Sequence, residues 1–265
     1  MNKLSRLKQR IRDMGSMVVA FSAGVDSSFL LHVASEVLPT SKLLAVTANS
    51  ETYPKEELRC AKEFAKTLGV RHRIIRTHEL REKRFRQNPL NRCYFCKKEL
   101  FSQLKKIARR NKLNYVVDAS NVSDKNDIRP GSIAKHELGV CSPLQEAGFT
   151  KEDIRRMSQM RGLATAHKPS LACLASRIPY GVAITPRLLK RINAAELYVK
   201  GLGFKQVRVR HYNGLCRIEV DSRDIPALIK KRAAISTRLK SLGYQYVTID
   251  LEGYRTGSMN EGVKT

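Results

Sequence analysis

The chain has 265 residues, with 50 Lys+Arg against 24 Asp+Glu and a formal net charge of +26 at pH 7. That length holds a full α/β core plus a second, smaller unit, and no apolar run reaches the roughly 18 residues that cross a bilayer. Six cysteines at irregular spacing in a chain of this size exclude a disulfide scaffold. The positive field would attract nucleic acid, anionic membrane or a polyanionic metabolite. A solvated basic surface accounts for it equally well, so charge alone names no partner.

An amphipathic pattern over residues 3–14 predicts a first helix. The basic start followed by apolar residues has the order of a secretory signal, but the apolar stretch is too short and its removal would destroy the turn that follows. The expectation is a cytoplasmic protein with reduced thiols. Apolar strand candidates over 17–21, 43–47, 72–75 and 115–118 alternate with helical patterns over 26–37, 55–68, 95–110 and 151–161. Such alternation predicts an α/β fold, a parallel sheet with helices on both faces. Two long loops interrupt it, and long ordered loops are often functional. Residues 81–92 are basic and hold Asn88-Pro89; residues 119–144 carry Asp124, Asp127 and Arg129-Pro130-Gly131. The pattern breaks again at Lys168-Pro169, Pro179-Tyr180-Gly181 and Pro186. Beyond it, a helix over 186–202, strands over 206–212 and 215–220, a helix over 225–242 and a strand over 245–249 predict a small α+β unit. Asn213-Gly214 is its type I′ hairpin signal. The expected organisation is a first domain over 1–165, an interdomain segment over 166–185 that carries Cys173, and a C-terminal domain over 186–265.

The turn after the first strand bears the clearest chemistry. Ser22-Ala23-Gly24-Val25-Asp26-Ser27-Ser28 stands between strand and helix. It presents backbone N–H groups and a positive dipole end to an anion, with three hydroxyls as further donors. The Walker A spacing and its lysine are absent. The string resembles the Ser-Gly-Gly-x-Asp-Ser loop of ATP pyrophosphatases, which cleave ATP between the α and β phosphates. That resemblance implies ATP, bound by Ala20, Phe21, Ser22, Ala23, Gly24, Val25, Asp26, Ser27 and Ser28, with Thr47 at the end of the next strand and Ser50 beyond it. Ala23 stands at the second glycine of that pattern, where alanine is tolerated at negative φ and costly at positive φ.

Cys93 and Cys96 form a C-x-x-C pair followed by Lys97 and Lys98, cations that would stabilise thiolates. On the string alone the pair reads as half of a zinc site, a redox pair, two of three thiolates on an iron–sulfur cluster, or two structural thiols. Cys173 lies in the interdomain stretch near Arg177. Cys60, Cys141 and Cys216 read as structural thiols, and His32, His72 and His78 show no ligand pattern.

In order along the chain stand AFSAGVDSS, TANSETYPKEE, NRCYFCKKELF, DASNVSDKNDIRPG, ELGVCSPLQEAG, KPSLACLASRIPYG, RVRHYNGLCRIEV and DLEGYRTGSMN. Together they resemble the LarE family of ATP-dependent sulfur transferases, which makes the nickel-pincer nucleotide cofactor of lactate racemase. The resemblance runs from Leu4 to Asn260. Departures are Ala23, Ala119-Ser120 where the family often shows Gly-Thr, and the high charge. It implies that Mg-ATP adenylates a carboxylate of a pyridinium dicarboxylate mononucleotide, releasing pyrophosphate, and that a sulfur nucleophile then displaces AMP. Cys173, Asp26 and Arg177 are the catalytic residues it implies, Arg177 at the adenylate. One family variant sacrifices a single cysteine at the position of Cys173. The other uses three cysteines to hold a [4Fe–4S] cluster, and Cys93, Cys96 and Cys173 occupy those three positions, so the cluster-bearing variant is expected.

By the same resemblance Glu196 and Glu219 bind a divalent metal or substrate, and Arg208 and Arg210 meet the substrate phosphate. The plain alternative for each is a solvated salt bridge. The implied cofactors are ATP, Mg2+ and the cluster. The implied partners are a small-molecule nucleotide substrate, a sulfide source and further copies in a homo-oligomer, with no membrane. A tRNA thiolase built on the same loop and a cluster is the competing reading, which the charge favours; against it, no zinc ribbon or appended RNA-binding domain is found. A non-catalytic nucleic-acid or metal-trafficking protein is the third.

Overall fold

The computed structural model describes residues 2–126, 130–169 and 172–261; Asp127 and Arg129 of the long loop lie outside the described residues. The chain divides into two compact units, Met1–Phe85 with Leu90–Leu171, and Arg86–Pro89 with Ala172–Thr265. In chain order the elements begin with α1 Lys3–Met14, β1 Met17–Ala20, α2 Val25–Val37, β2 Leu43–Asn49, α3 Lys55–Thr67 and β3 Arg71–Arg76. Next come α4 Lys83–Arg86, α5 Arg92–Arg110, β4 Tyr115–Val117, α6 Pro130–Glu137, α7 Pro143–Glu146 and α8 Lys151–Met160. The second unit contains α9 Pro186–Gly201, β5 Val207–Tyr212, β6 Leu215–Val220, α10 Ile225–Lys230, α11 Arg232–Ser241 and β7 Tyr246–Ile249.

In the first unit the four strands lie in the order β3-β2-β1-β4, all parallel. The short apolar β1 is central because both of its faces are buried. Met17 and Val19 join a core with Leu7, Ile11, Phe29 and Phe149, while Val18 joins Phe101, Leu104 and Ile107 of α5. A strand buried on both sides reads as a continuous apolar run, as MVVA does. α1 buries Leu7, Ile11 and Met14, one stripe at spacings of four and three, and ends at Gly15 with φ +68°. α8 starts with a capping box: Thr150 accepts the Asp153 N–H, and Asp153 accepts the Thr150 N–H. The strand order reverses direction at β1, with β2 on one side and β4 on the other. Ligands of open α/β sheets bind beyond the carboxyl ends of the strands at such a switch point.

Three expectations need correction. The helix expected from Phe95 starts at Arg92, because the Tyr94 N–H donates to the Asn91 carbonyl at 2.9 Å and closes an earlier turn. The stretch 119–144 is not one loop. α6 and α7 each begin with a proline, whose preset φ suits a first helical position. Cys141 bridges in parallel to Val117 at the sheet edge. The helix expected over 225–242 is two, broken at Lys231. The break falls in the exposed run Lys230-Lys231-Arg232, where nothing apolar is buried to hold the helix in register.

In the second unit β5 and β6 are antiparallel and β6 and β7 parallel. The turn between β5 and β6 has φ +40° at Asn213 and +96° at Gly214, the signs a type I′ turn requires. One sheet face presents Val207, Val209, Ile218 and Val220 to Val199, Leu228, Ile235 and Leu239. By the period of two, the opposite face takes Arg208 and Arg210 across from Glu219 and Arg217.

Candidate active site

At the carboxyl end of β1 the chain turns sharply into α2. The Phe21 N–H donates to the Val46 carbonyl at 2.9 Å, and the Thr47 hydroxyl donates to the Phe21 carbonyl at 2.7 Å, so the loop is anchored to β2. The Ser22 N–H donates to Ser27 Oγ at 3.3 Å, and the two serine hydroxyls are 3.1 Å apart. Ala23 is fully buried with φ +52°, the costly side of the alternative its side chain left open. Two long-range donors hold the strained peptide. Tyr53 Oη donates to the Ser22 carbonyl at 2.7 Å and Lys168 Nζ to the Ala23 carbonyl at 3.0 Å.

Gly24 caps α2 without a side-chain hydrogen bond. The first intrahelical donor is the Ser28 N–H, to the Gly24 carbonyl at 3.0 Å, so the N–H groups of Val25, Asp26 and Ser27 precede it and this helix end carries unpaired helical donors and a positive dipole. Asp26 stands in that turn. Its Oδ2 accepts Lys151 Nζ at 2.5 Å, and its Oδ1 is buried without a hydrogen-bond partner. Burial raises its pKa above the ordinary carboxylate value, and Lys151 opposes the shift. An orphaned carboxylate oxygen beside an anion-binding helix end suits a hard cation such as Mg2+, which takes oxygen ligands.

Thr47 lies within β2, as the strand expected over 43–47 has it, with His72 Nε2 at 2.8 Å from its hydroxyl. The Ser50 hydroxyl lies 2.9 Å from that of Thr52, which donates to the buried Glu79 at 2.8 Å. Loop and strand ends thus come together at the carboxyl edge of the first unit's sheet.

Cys93 and Cys96 fall in the first two turns of α5, three residues apart and therefore on one face. Cys93 is exposed and Cys96 half-buried. α6 packs against these turns at Gly131, where an added Cβ would lie 3.0 Å from Lys97 Cγ and 3.8 Å from Cys93 Cβ. Cys173, in the second unit, is exposed at the start of a short 3-10 turn. Among the described residues no three His, Cys, Asp or Glu side chains gather to hold a metal ion. Two thiols on one helix face are a donor set whose chemistry suits a soft metal or an iron–sulfur cluster. Burial raises the Cys141 thiol and pushes Cys216 up to about 12, so both stay protonated near neutrality.

The second unit holds a lattice of buried arginine and glutamate. Arg177 donates from Nε and Nη2 to both oxygens of Glu196, at 2.7 and 3.0 Å. Its Nη1 donates to the carbonyls of Ala172 and Cys173 at 2.9 and 3.1 Å. Glu196 also accepts the Val209 N–H at 3.0 Å. Burial works against its charge, yet Arg177 leaves its pKa below the ordinary range. Arg210 grips Glu219 in the same fork, at 2.9 and 2.7 Å, and reaches the Ser176 carbonyl and Ser258 Oγ. Arg208 lies over the Tyr254 ring, its pKa lowered to about 10 by burial and by the neighbouring charge of Arg177. All five side chains are buried, so the alternative of solvated salt bridges does not hold.

Lys151, Lys168, Glu57 and Tyr53 surround the loop and escaped the sequence reading. The available signal was the missing Walker lysine, which requires a cation from elsewhere in the chain. No helix of the described residues is long and apolar enough to cross a membrane.

The asparagine synthase family matches residues 6–84, which hold β1, the loop and α2. Over 98% of the chain, and 97% of the relative, the sequence is 39% identical to the uncharacterized protein slr1717 of Synechocystis sp.. It is 37% identical to the pyridinium-3,5-bisthiocarboxylic acid mononucleotide synthase of Lactiplantibacillus plantarum, over 98% of the chain and 94% of that protein. To the uncharacterized protein MJ0830 of Methanocaldococcus jannaschii it is 28% identical over 97% of the chain and 98% of that protein.

Proposed function

The chain belongs to the family of the pyridinium-3,5-bisthiocarboxylic acid mononucleotide synthase, an enzyme family with an ATP-using PP-loop domain, and on that premise we propose an ATP-dependent sulfur transferase acting on a pyridinium dicarboxylate mononucleotide. A carboxylate is a poor electrophile until its oxygen becomes part of a good leaving group. A substrate carboxylate oxygen attacks the α-phosphorus of ATP, the bond to the β-phosphate oxygen breaks, and pyrophosphate departs. A sulfur nucleophile then attacks the acyl carbon and AMP leaves with the oxygen, giving a thiocarboxylate for the nickel-pincer cofactor.

The observation that carries this reading is the uncapped first turn of α2 with the orphaned Asp26 Oδ1. Backbone N–H groups of that turn stabilise charge developing on the departing phosphates. Asp26 would hold Mg2+, whose chemistry is to neutralise the phosphate oxygens. Ala20 to Ser28, Thr47 and Ser50 line the nucleotide site. In the second unit Arg208 and Arg210 supply positive potential for the substrate phosphate. Glu196 and Glu219 orient arginine forks, so metal binding at either requires release of its arginine. Arg177 steadies the Cys173 peptide through its carbonyl.

Cys93 and Cys96, with Cys173 as third ligand, would hold a [4Fe–4S] cluster. Three thiolates leave one iron open to carry an exogenous sulfide. Anaerobic purification with iron, sulfide and visible-absorption measurements on wild type and Cys173→Ala tests this. About four irons per chain, lost in the variant, support cluster-borne sulfur. No iron, with one sulfur's mass lost from Cys173 after turnover, supports the sacrificial route instead. ATP cleavage that responds to tRNA but not to the mononucleotide, with steep salt dependence, sinks the small-molecule reading in favour of tRNA thiolation.

A further inference from the structure

A phosphate loop without a Walker lysine leaves several negative charges of a departing pyrophosphate to be met by backbone donors alone, and such transfer depends on electrostatic stabilisation. Two ammonium groups of the first unit lie against this loop from outside it. Lys151, the first residue of α8, donates to Asp26 Oδ2 at 2.5 Å. Lys168 donates to the Ala23 carbonyl at 3.0 Å and to Glu57 Oε2 at 2.5 Å. Their side chains keep 34% and 18% exposure, sheltered enough to strengthen electrostatics yet still reachable by a ligand. The backbone behind Lys168 is pinned, because Arg155 donates to the carbonyls of Ala166 and Lys168 at 2.9 and 3.1 Å. The Lys168 stem is thus anchored while its four-carbon side chain retains its torsions.

We propose that Lys168, assisted by Lys151, binds the β- and γ-phosphates of ATP and stays on the pyrophosphate as it leaves. The inference rests on the ATP reading of the loop and not on the identity of the sulfur acceptor. Glu57 and Asp26 are the carboxylates that the two ammonium groups exchange for phosphate oxygens. The exchange moves no proton. When Lys151 transfers, both oxygens of Asp26 become available to a cation. Lys168 also ties the loop conformation to nucleotide binding, since the carbonyl it holds belongs to Ala23, the residue with φ +52°.

Titration calorimetry on the full chain with MgATP, magnesium pyrophosphate and AMP tests the assignment. Lys168→Met should weaken ATP and pyrophosphate by roughly 10- to 100-fold, the size of a charged hydrogen bond, and leave AMP within about twofold. Lys168→Arg should recover most of the loss. Glu57→Gln, which removes the competing carboxylate, should tighten pyrophosphate. Unchanged binding of all three ligands by Lys168→Met overturns the proposal. So does an equal loss that includes AMP and is not recovered by arginine, which is the signature of a deformed loop. A wild-type chain that binds MgATP and shows this pattern yet thiolates no mononucleotide supports the lysine assignment and sinks the sulfur-transfer reading alone.

Discussion

Two clusters of sheltered charge, one in each unit, are built in opposite ways. Around the phosphate loop the cations are lysines, each making one short contact to a carboxylate, and Asp26 keeps one oxygen without a partner. In the second unit the cations are arginines, and both oxygens of Glu196 and of Glu219 are gripped in planar forks. An ammonium on a flexible stem changes partners easily; a bidentate guanidinium fork is fixed by geometry. The first arrangement suits a site where ligands replace side-chain partners. The second suits a scaffold that holds its shape and a positive potential.

Breaking the fixed cluster should have the largest effect. Glu219→Gln leaves the buried Arg210 without its carboxylate, while Arg217 keeps Asp250, and loss of one partner of a buried pair costs about 3–5 kcal/mol. Urea unfolding followed by circular dichroism should show an early transition of the second unit; a shift under about 1 kcal/mol would place this pair among ordinary surface contacts. The exchangeable cluster should respond otherwise. Asp26→Asn should change stability by less than about 1 kcal/mol, because burial already disfavours the charge. The same variant should lose roughly tenfold in Mg-dependent ATP affinity, read by calorimetry with and without Mg2+.

A smaller loss is expected at the α8 capping box. Asp153→Asn removes the tie to Lys3, 2.6 Å away, and weakens the cap, at about 1 kcal/mol. The Lys3 hydrogen bond, with the capping bonds from Thr150, holds the Asp153 carboxyl down to about 2 from 3.8. A depressed carboxylate pKa contributes stability that is complete above the ordinary value and is lost as pH falls through about 2. Acid unfolding of the variant should therefore be less steep than that of wild type between those values. Ala23→Gly should have the smallest effect. It relieves an L-residue of its positive φ, worth about 1 kcal/mol, against the loss of a buried methyl of about 0.8 kcal/mol. Thermal melts of the two proteins should nearly coincide, with any shift upward.

Local features were legible wherever neighbouring residues carry their physical cause. MVVA reads as a buried strand, SAGVDSS as an anion-binding turn, and Leu7, Ile11 and Met14 as a helix stripe, each from residues within one or two turns. Asn213-Gly214 announces its hairpin because only small residues accept two successive positive φ angles. The late start assigned to α5 shows the limit. Asn91, Arg92 and Cys93 have no periodic signal, and it is a backbone bond at Asn91 that begins the helix. The stretch 119–144 misled for a related reason: its prolines punctuate loops and open helices alike.

By itself the sequence determined the alternation of strands and helices, the phosphate loop, the three candidate thiols and, through its whole-length likeness to a mononucleotide synthase, the class of reaction. Only the tertiary structure decided the sign of φ at Ala23, the burial of the Arg–Glu forks and the arrival of Lys168 at the loop. Those depend on contacts between residues as far as 145 positions apart. No local propensity encodes such a contact, because chain topology and core packing bring the two segments together before their side chains can pair.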